Sequence, residues 1–391
     1  MKLKALPVFL AFLAMGFGDA VGPFVGLAKN QFHLTTAVAT LIPFVGLCMF
    51  GLISVPAGVL QNRIGRKSVL VLGLLVALAG VLNASFGLTS FVRFLLTVLL
   101  IGAGAAILQV AGNPLMRDVS AYGKFPRNLA LGQFVKAIGS LSGPMIPMIA
   151  ARYFGMGWNV IFPIYSAALV ITILTTSILK VPRDECAPPA SMRSCLALLG
   201  DGYVLLMTGA IFLYVGAEVS VSAAIPLFLK EQYNLDIARV GLLGTGLFFT
   251  ALTIGRFSGG LILNWAAPLK FLKLSCALAL VGLVALFVPS RSVAVLGFLL
   301  IGFGFANIFP LVFSSALERM PNRVNEISGL MVTAIVGGAI LPPLMGIVAD
   351  HSSVRAGFLV PIAAIAYVAA TTLVNQRQAG ASSASPSESV G

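Results

Sequence analysis

Long apolar runs, separated by short polar or basic breaks, cover nearly the whole of the 391-residue chain. An α-helix crosses the hydrocarbon core of a bilayer with about 20 apolar residues. These runs are too long for the strands of a membrane barrel, so each is predicted to be a helix. We count twelve runs, numbered spans 1 to 12: 5–28, 37–60, 68–88, 92–116, 128–151, 158–180, 203–229, 238–263, 270–288, 292–316, 326–349 and 356–374.

The composition strengthens this interpretation and limits the partners of the chain. Hydrophobic residues make up 59% of it and charged residues only 9%, whereas about a quarter of a soluble protein is charged. The net charge of +13 does not indicate nucleic acid, because the basic residues lie mostly between apolar runs, as the positive-inside rule predicts. We expect a monomer integral to the plasma membrane (the inner membrane of a bacterium), with both termini in the cytoplasm.

A polar break in the middle of the chain divides the spans six and six. Its sequence, VPRDECAPPASMRSCLALLGDG, combines proline, charge and small polar residues. The final residues are rich in Ser, Ala and Gly, a composition typical of disorder. The predicted units are an N-terminal bundle at 1–181, a cytoplasmic linker at 182–202, a C-terminal bundle at 203–374 and a disordered cytoplasmic tail at 375–391.

The two halves also resemble each other. IGAGAAILQVAGNPL begins at Ile101 and IGFGFANIFPLVFSSAL at Ile301, while AIGSLSGP begins at Ala137 and AIVGGAILPP at Ala334. A parallel repeat of six helices is typical of transporters whose substrate binds between two bundles near the midplane of the membrane. The sequence therefore predicts an all-α membrane protein with twelve transmembrane helices in two pseudo-symmetric bundles.

Several polar side chains lie at membrane depth in spans 4 and 5. Gln109 and Asn113 share one helix face, and Gln133 and Lys136 share another. A lysine in an apolar span costs about 3 kcal/mol, so it needs a partner or a task. Lys136 is predicted to form a salt bridge with a carboxylate of span 1 or span 7, to bind an anionic substrate, or to extend to the cytoplasmic interface.

The two carboxylates in question are Asp19 in span 1 and Glu218 in span 7. An exposed charge at this depth is unfavourable, so each carboxylate must be protonated or paired. Both are candidates for binding the cation that drives transport, and each is also a candidate counter-ion for Lys136.

The connection between spans 2 and 3 carries a recognisable signature. Gly58, Asn62, Arg63, Gly65 and Arg66 resemble the loop motif of the major facilitator superfamily, in which Asp usually stands at the position of Asn62. Gly65 permits a tight turn, and the cations can reach the C-terminal ends of nearby helices. We expect the ion pair that relatives form between the bundles to be a weaker hydrogen bond here.

Within that superfamily, the chain is most similar to the fucose/glucose/galactose:cation symporter family. The matching segments are Asp19-Ala-Val-Gly-Pro23, Gln109-Val-Ala-Gly-Asn113-Pro114, Gln133 to Gly139, Tyr214-Val-Gly-Ala-Glu218, Gly255-Arg256-Phe257 and Gly337 to Pro342. The resemblance implies a proton-coupling carboxylate at Asp19. It also implies a substrate site formed by Gln109, Asn113, Gln133, Lys136, Asn307 and Phe309.

This sequence departs from that family at two positions of the expected site. Gln109 replaces a glutamate, and an amide binds hydroxyl groups but cannot titrate. Lys136 replaces an asparagine. We expect H⁺ as the coupling ion through Asp19; a sodium route and uncoupled uniport stay open because the second acid is missing.

The sequence thus predicts a secondary active transporter that imports a monosaccharide or sugar-like solute by alternating access. The alternatives are an importer of organic or sugar acids that uses Lys136, a proton-driven drug exporter and, more remotely, a sensor that does not transport. An enzyme is not expected, because the sequence has no phosphate-binding loop and no nucleophile–base pair. Neither a metal site nor a cofactor is expected.

Overall fold

The computed structural model describes residues 5–19, 25, 28–29, 31–39, 41–88, 90–180, 191–234 and 245–383. In these ranges the chain is nearly all helical. Eleven of the described helices are long and apolar enough to cross a membrane, and the shorter apolar helix Leu6–Asp19 occupies the position of span 1. The predicted fold class, an all-α membrane protein, is confirmed.

The spans of the N-terminal half lie where the apolar runs predict them. They are Leu6–Asp19, Leu41–Ile64, Arg66–Ser85, Phe91–Val119, Phe125–Phe154 and, after the 3-10 turn Trp158–Val160, Ile161–Ile178. A one-turn helix, Thr36–Ala39, precedes span 2. Most of the predicted part of span 1 after Asp19 lies outside the described residues.

The spans of the C-terminal half include three that are interrupted. Spans 7, 8 and 9 are Gly202–Tyr233, Thr245–Ile262 and Pro268–Ala285; span 10 consists of Arg291–Phe305 and Ile308–Arg319, span 11 of Val324–Thr333 and Gly337–His351, and span 12 of Val354–Gly357 and Leu359–Ser383. The first predicted residues of span 8 lie outside the described ranges.

The interruption of span 10 has a local cause. Pro310 lies in the first turn of Ile308–Arg319, where its missing N–H needs no acceptor. In an uninterrupted helix the same proline would remove a hydrogen bond and clash with the preceding turn. The break places Asn307 outside helical geometry, as the N-cap residue of the second segment.

Small residues let the helices of a bundle cross closely. Spans 1 and 5 meet at Gly16 and Gly139, and a Cβ added to Gly139 would overlap the backbone carbonyl of Leu13. In the C-terminal bundle, spans 9 and 10 cross at Gly282 and Gly297. Such contacts are typical of membrane helices, which associate by close packing rather than by the hydrophobic effect.

The two bundles meet at one end of the molecule, called the closed end below. There a Cβ on Gly58 of span 2 would lie 3.0 Å from the Cα of Gly329 in span 11. Spans 5 and 8 meet through Phe134 and Phe257, whose ring centroids are 5.1 Å apart. This end carries the connection between spans 2 and 3.

The linker and the tail differ in part from the prediction. The linker contains the helix Met192–Ala197 and the 3-10 turn Leu198–Gly200, while residues 181–190 lie outside the described part of the chain. The last helix continues to Ser383, beyond the predicted start of disorder at residue 375. The continuation, NQRQAGASS, contains three Gln or Arg residues and two alanines, all good helix formers, beside two serines and one glycine. The prediction for 384–391 lies outside the described residues.

Candidate functional site

A cavity of about 400 Å³ lies between the two bundles, within the size range of sites for small molecules. Residues from spans 1, 2, 4, 5, 7, 8, 10 and 11 line it. Of the residues predicted for coupling or binding, six line the cavity: Asp19, Gln109, Gln133, Lys136, Glu218 and Phe309.

Asp19 and Lys136 form an ion pair in the wall of this cavity. The Lys136 Nζ lies 3.1 Å from the Asp19 Oδ2, and the Ser140 Oγ donates to the same oxygen at 3.0 Å. The Asp19 side chain is 43% exposed and the Lys136 side chain 12%. Of the three interpretations of Lys136, the structure shows the salt bridge with Asp19. Ser140, one helical turn after Lys136, is a partner that the sequence did not single out.

The two glutamines bring unsatisfied polar atoms to the cavity. Gln109 and Gln133 are 2% and 3% exposed. The Gln109 Oε1 and the Gln133 Nε2 have no hydrogen-bond partner in the described part of the chain. A buried polar atom without a partner costs about 1–3 kcal/mol. The wall of the cavity therefore contains one buried acceptor and one buried donor without a partner among the described residues.

Phe309 supplies an apolar surface in the same cavity. It lies in the first turn of the second segment of span 10 and stacks on Phe313, with ring centroids 5.5 Å apart. Phe50 of span 2 also lines the cavity. Aromatic faces of this kind suit the C–H faces of a sugar ring.

Asn113 and Asn307 are not among the residues that line the cavity, and their contact with substrate stays a prediction. Asn113 is fully buried, because its position one turn beyond Gln109 carries it deeper into the helix packing. Asn307 donates from Nδ2 to the backbone oxygen of Gly255 at 2.8 Å, so it links the break in span 10 to span 8.

Glu218 is paired with Arg256 of span 8. The Arg256 Nη2 lies 3.2 Å from the Glu218 Oε1, and the two side chains are 12% and 19% exposed. Both residues line the cavity. Arg256 was not among the predicted site residues. The sequence could have indicated it, because an arginine inside an apolar span, like Lys136, needs a partner.

The loop signature organises the closed end. Asn325 of span 11 donates from Nδ2 to the Asn62 Oδ1 and accepts at Oδ1 from the Arg66 Nε at 2.7 Å. Arg66 also pairs with Asp118 at 2.6 Å. The structure therefore shows a hydrogen bond between two amides across the bundles at Asn62, and the comparison with an ion pair in relatives stays a prediction.

The rest of the signature behaves as the sequence predicts. Gly65 has φ +85°, a conformation that favours glycine. Arg63 lies in the last turn of Leu41–Ile64. The Lys67 Nζ donates to the backbone oxygen of Ser177 at 2.7 Å. This contact places a cation at the C-terminal end of span 6, where the helix dipole is negative.

A second contact between an amide and a basic side chain joins spans 5 and 8 at the closed end. The Arg127 Nη1 of span 5 donates to the Asn264 Oδ1, just after span 8, at 3.1 Å. The Arg127 Nε donates to the Asn128 Oδ1 at 3.0 Å. Asn128 and Asn325 occupy corresponding positions in the two halves, but Asn325 bonds across the bundles itself, whereas Asn128 supports Arg127, which makes the contact.

The linker helix seals this end. Cys195 is fully buried against Val55 and Val59 of span 2 and Leu330 of span 11. Burial and the nearby Glu326 raise the pKa of the Cys195 thiol to about 12, and Arg323 opposes the shift. Ser194 donates to the Glu326 Oε1 at 2.8 Å. These contacts join the linker to both bundles.

Comparison with known proteins establishes the family. A model of the Major Facilitator Superfamily matches residues 8–340. The chain belongs to this superfamily. It is accordingly a membrane transporter rather than an enzyme.

Relatives of this transporter carry names that refer to sugars. The glucose/galactose transporter of Brucella abortus biovar 1 (strain 9-941) is 30% identical over 367 residues, which cover 89% of this chain and 88% of that protein. The putative glucose/galactose transporter of Helicobacter pylori (strain J99 / ATCC 700824) is 27% identical over 398 residues, with 94% and 95% covered.

The fold is also that of solved transporters. The crystal structure of FucP in the outward conformation matches with a TM-score of 0.81 at 19% identity, over 95% of this chain and 99% of that chain. The two-bundle architecture predicted from the sequence is therefore confirmed.

Proposed function

We propose that this transporter imports a neutral monosaccharide by alternating access. The observation that carries the proposal is the cavity between the bundles, whose wall includes Gln109 and Gln133, with one buried acceptor and one buried donor that lack partners among the described residues. A sugar hydroxyl donates and accepts at once, so it satisfies both atoms. The names of the glucose/galactose transporters support the same substrate class.

The pairing of the charged side chains favours a neutral substrate over an organic or sugar acid. Lys136 already has Asp19 as its counter-ion, and Arg256 has Glu218. An anionic substrate would have to displace a carboxylate from one of these cations. The acid importer is therefore the second candidate, and Lys136 is the residue that separates the two.

Coupling is assigned to H⁺ at Asp19, with Na⁺ as the alternative ion. The carboxylate lines the cavity and is the more exposed member of its pair, so a proton can reach it. Gln109 cannot take the place of a second coupling acid. Glu218 faces the same cavity and is the other coupling candidate.

The orientation follows from the basic residues. With the protein in a bacterial inner membrane and both termini in the cytoplasm, the closed end faces the cytoplasm, and the cavity opens to the opposite side. The monomer suffices for this cycle, because both bundles belong to one chain.

The test is uptake of labelled glucose and galactose into proteoliposomes with an inside-alkaline pH gradient. Asp19→Asn should abolish accumulation against a gradient while some sugar exchange persists, and the exposed Asp350→Asn should behave as the wild type. Undiminished accumulation by Asp19→Asn would refute coupling at this carboxylate.

Competition experiments separate the substrates. Neutral hexoses should displace the label and uronates should not. If uronates compete and Lys136→Met abolishes only their transport, the acid importer is correct. Binding of sugar without flux would instead identify a sensor, and drug resistance on overexpression would identify an exporter.

A further inference from the structure

The cavity holds a second ion pair, formed by Glu218 of span 7 and Arg256 of span 8. It belongs to the C-terminal bundle, whereas Gln109, Gln133 and the Asp19–Lys136 pair belong to the N-terminal bundle. A solute held between the bundles therefore meets a charged pair on each side.

The pair also has the Tyr214 side chain as a hydrogen-bonding neighbour, but it leaves part of its hydrogen-bonding capacity unused. The contact is a single one, between the Arg256 Nη2 and the Glu218 Oε1 at 3.2 Å, not a two-point fork. The Arg256 Nε is buried and has no hydrogen-bond partner among the residues described. A guanidinium group offers five N–H donors in a planar arrangement, so most of its donors are not used by Glu218.

The chemistry of the pair matches neighbouring hydroxyl groups. A carboxylate accepts a hydrogen bond from one hydroxyl while the guanidinium donates to the next, and both bonds are strengthened by charge. The Glu218 side chain is less exposed than that of Asp19, 19% against 43%, so a cation reaches it less readily and this carboxylate suits recognition better than cation exchange. Tyr214, one turn before Glu218, is held by its bond to the backbone oxygen of Phe305 at 2.9 Å, which gives the pair a rigid support.

We infer that the Glu218–Arg256 pair determines sugar specificity by binding two adjacent hydroxyl groups of the substrate. This inference rests on the proposed function, since it requires a sugar in the cavity. It assigns Arg256 a role in recognition and gives Glu218 a role other than coupling.

The test compares a transported hexose with its mono-deoxy analogues as competitors of labelled glucose or galactose uptake. In the wild type, removal of a hydroxyl bound by the pair should weaken competition by about tenfold or more, as expected for a hydrogen bond to a charged group. Arg256→Lys keeps the charge but not the planar set of N–H donors. The ratio of competition by the hexose to competition by its deoxy analogue should therefore fall towards one. The ratios for the other hydroxyl groups should not change.

Two further variants keep the result interpretable. The double variant Glu218→Gln/Arg256→Gln removes both charges and leaves no unpaired ion, so it decides the question if Arg256→Lys fails to fold. It should also lose the selective ratio. Arg152→Lys, at an exposed position at the end of span 5, is the matched control and should keep every ratio.

The outcomes separate this inference from the proposed function. A wild type that transports neither sugar refutes the proposed function. A wild type that transports sugar but does not discriminate among deoxy analogues refutes the inference alone. Variants that weaken every analogue by one common factor also refute it, because that pattern indicates a structural role.

Discussion

Replacement of Asn62 by aspartate should hold the closed end of the transporter more firmly. In the wild type, the Asn325 amide donates to the Asn62 Oδ1 across the interface between the bundles. The Arg66 Nε fixes the other side of Asn325 from a distance of 2.7 Å. Asn62→Asp keeps the shape of the acceptor and adds a negative charge to it.

The expected magnitude follows from the kind of bond. A hydrogen bond between neutral groups contributes about 0.5–1.5 kcal/mol net, and one to a charged group about 1.5–3 kcal/mol. The variant should therefore favour the closed end by about 1–1.5 kcal/mol, which is about a five- to tenfold change in the equilibrium. Arg66 lies next to the new carboxylate and supports the same direction.

Cys195 provides the assay, because it is buried where the linker, span 2 and span 11 meet. Separation of spans 2 and 11 exposes its thiol, so the rate of maleimide labelling reports opening of this end. In a chain in which Cys48, Cys186 and Cys276 are replaced by serine, Asn62→Asp should slow labelling about five- to tenfold, following the change in the equilibrium.

The control is Asn83→Asp, which makes the same chemical change within the N-terminal bundle. Asn83 forms hydrogen bonds with Thr97 and Arg93 of span 4 and has no hydrogen bond to the described residues of the C-terminal bundle. Its labelling rate should equal that of the wild type. If labelling of Asn62→Asp is unchanged or faster, the amide contact does not hold the bundles together.

Two further predictions use the same thiol. Gly58→Val should accelerate labelling, because a Cβ at this position would lie 2.8 Å from the Asn325 backbone oxygen; a rate equal to that of the wild type would show that the interface yields without opening. The raised pKa of Cys195, about 12, keeps the thiolate scarce near neutral pH. At pH 8 the folded protein should therefore react about tenfold or more slowly than the chain unfolded in detergent, and the difference should shrink as the pH rises. Equal rates at pH 8 would contradict the buried thiol.

The positions of the spans could be predicted because each is an uninterrupted apolar run of membrane length. What this pattern did not show is where a helix breaks inside a run. Span 10 is continuous in hydrophobicity, yet it breaks at Ala306 and Asn307, which places Pro310 in the first turn of its second segment. Proline alone does not predict such a break, because Pro114 and Pro226 lie inside unbroken helices. The last helix also extends beyond its apolar run, to Ser383, which hydrophobicity alone does not predict.

The site could be predicted in its residue types but only partly in its contacts. Depth in an apolar span identified the carboxylates and Lys136, since a charge there needs a partner. Depth alone could not show whether Asp19 or Glu218 is the counter-ion of Lys136, because the pairing depends on how the helices are rotated relative to each other. The same uncertainty placed Asn113 in the cavity, and Asn307 was included on resemblance alone.

The charged residues that line the cavity determine how two differences from related transporters, Gln109 and Lys136, should be interpreted. Gln109 removes an acid and Lys136 adds a base, so the sequence alone suggests a site more positive than that of related transporters. Among the residues found to line the cavity, however, the charged ones are Asp19, Lys136, Glu218 and Arg256, and they form two pairs, each within one bundle. The formal charge of these lining residues is therefore zero. Neither of these two pairs joins one bundle to the other, so neither has to break when the bundles move apart. A neutral solute leaves this charge balance intact, whereas an acid would disturb it. Protonation of Asp19 would then give the loaded carrier one net positive charge, which an inside-negative membrane potential can drive inward.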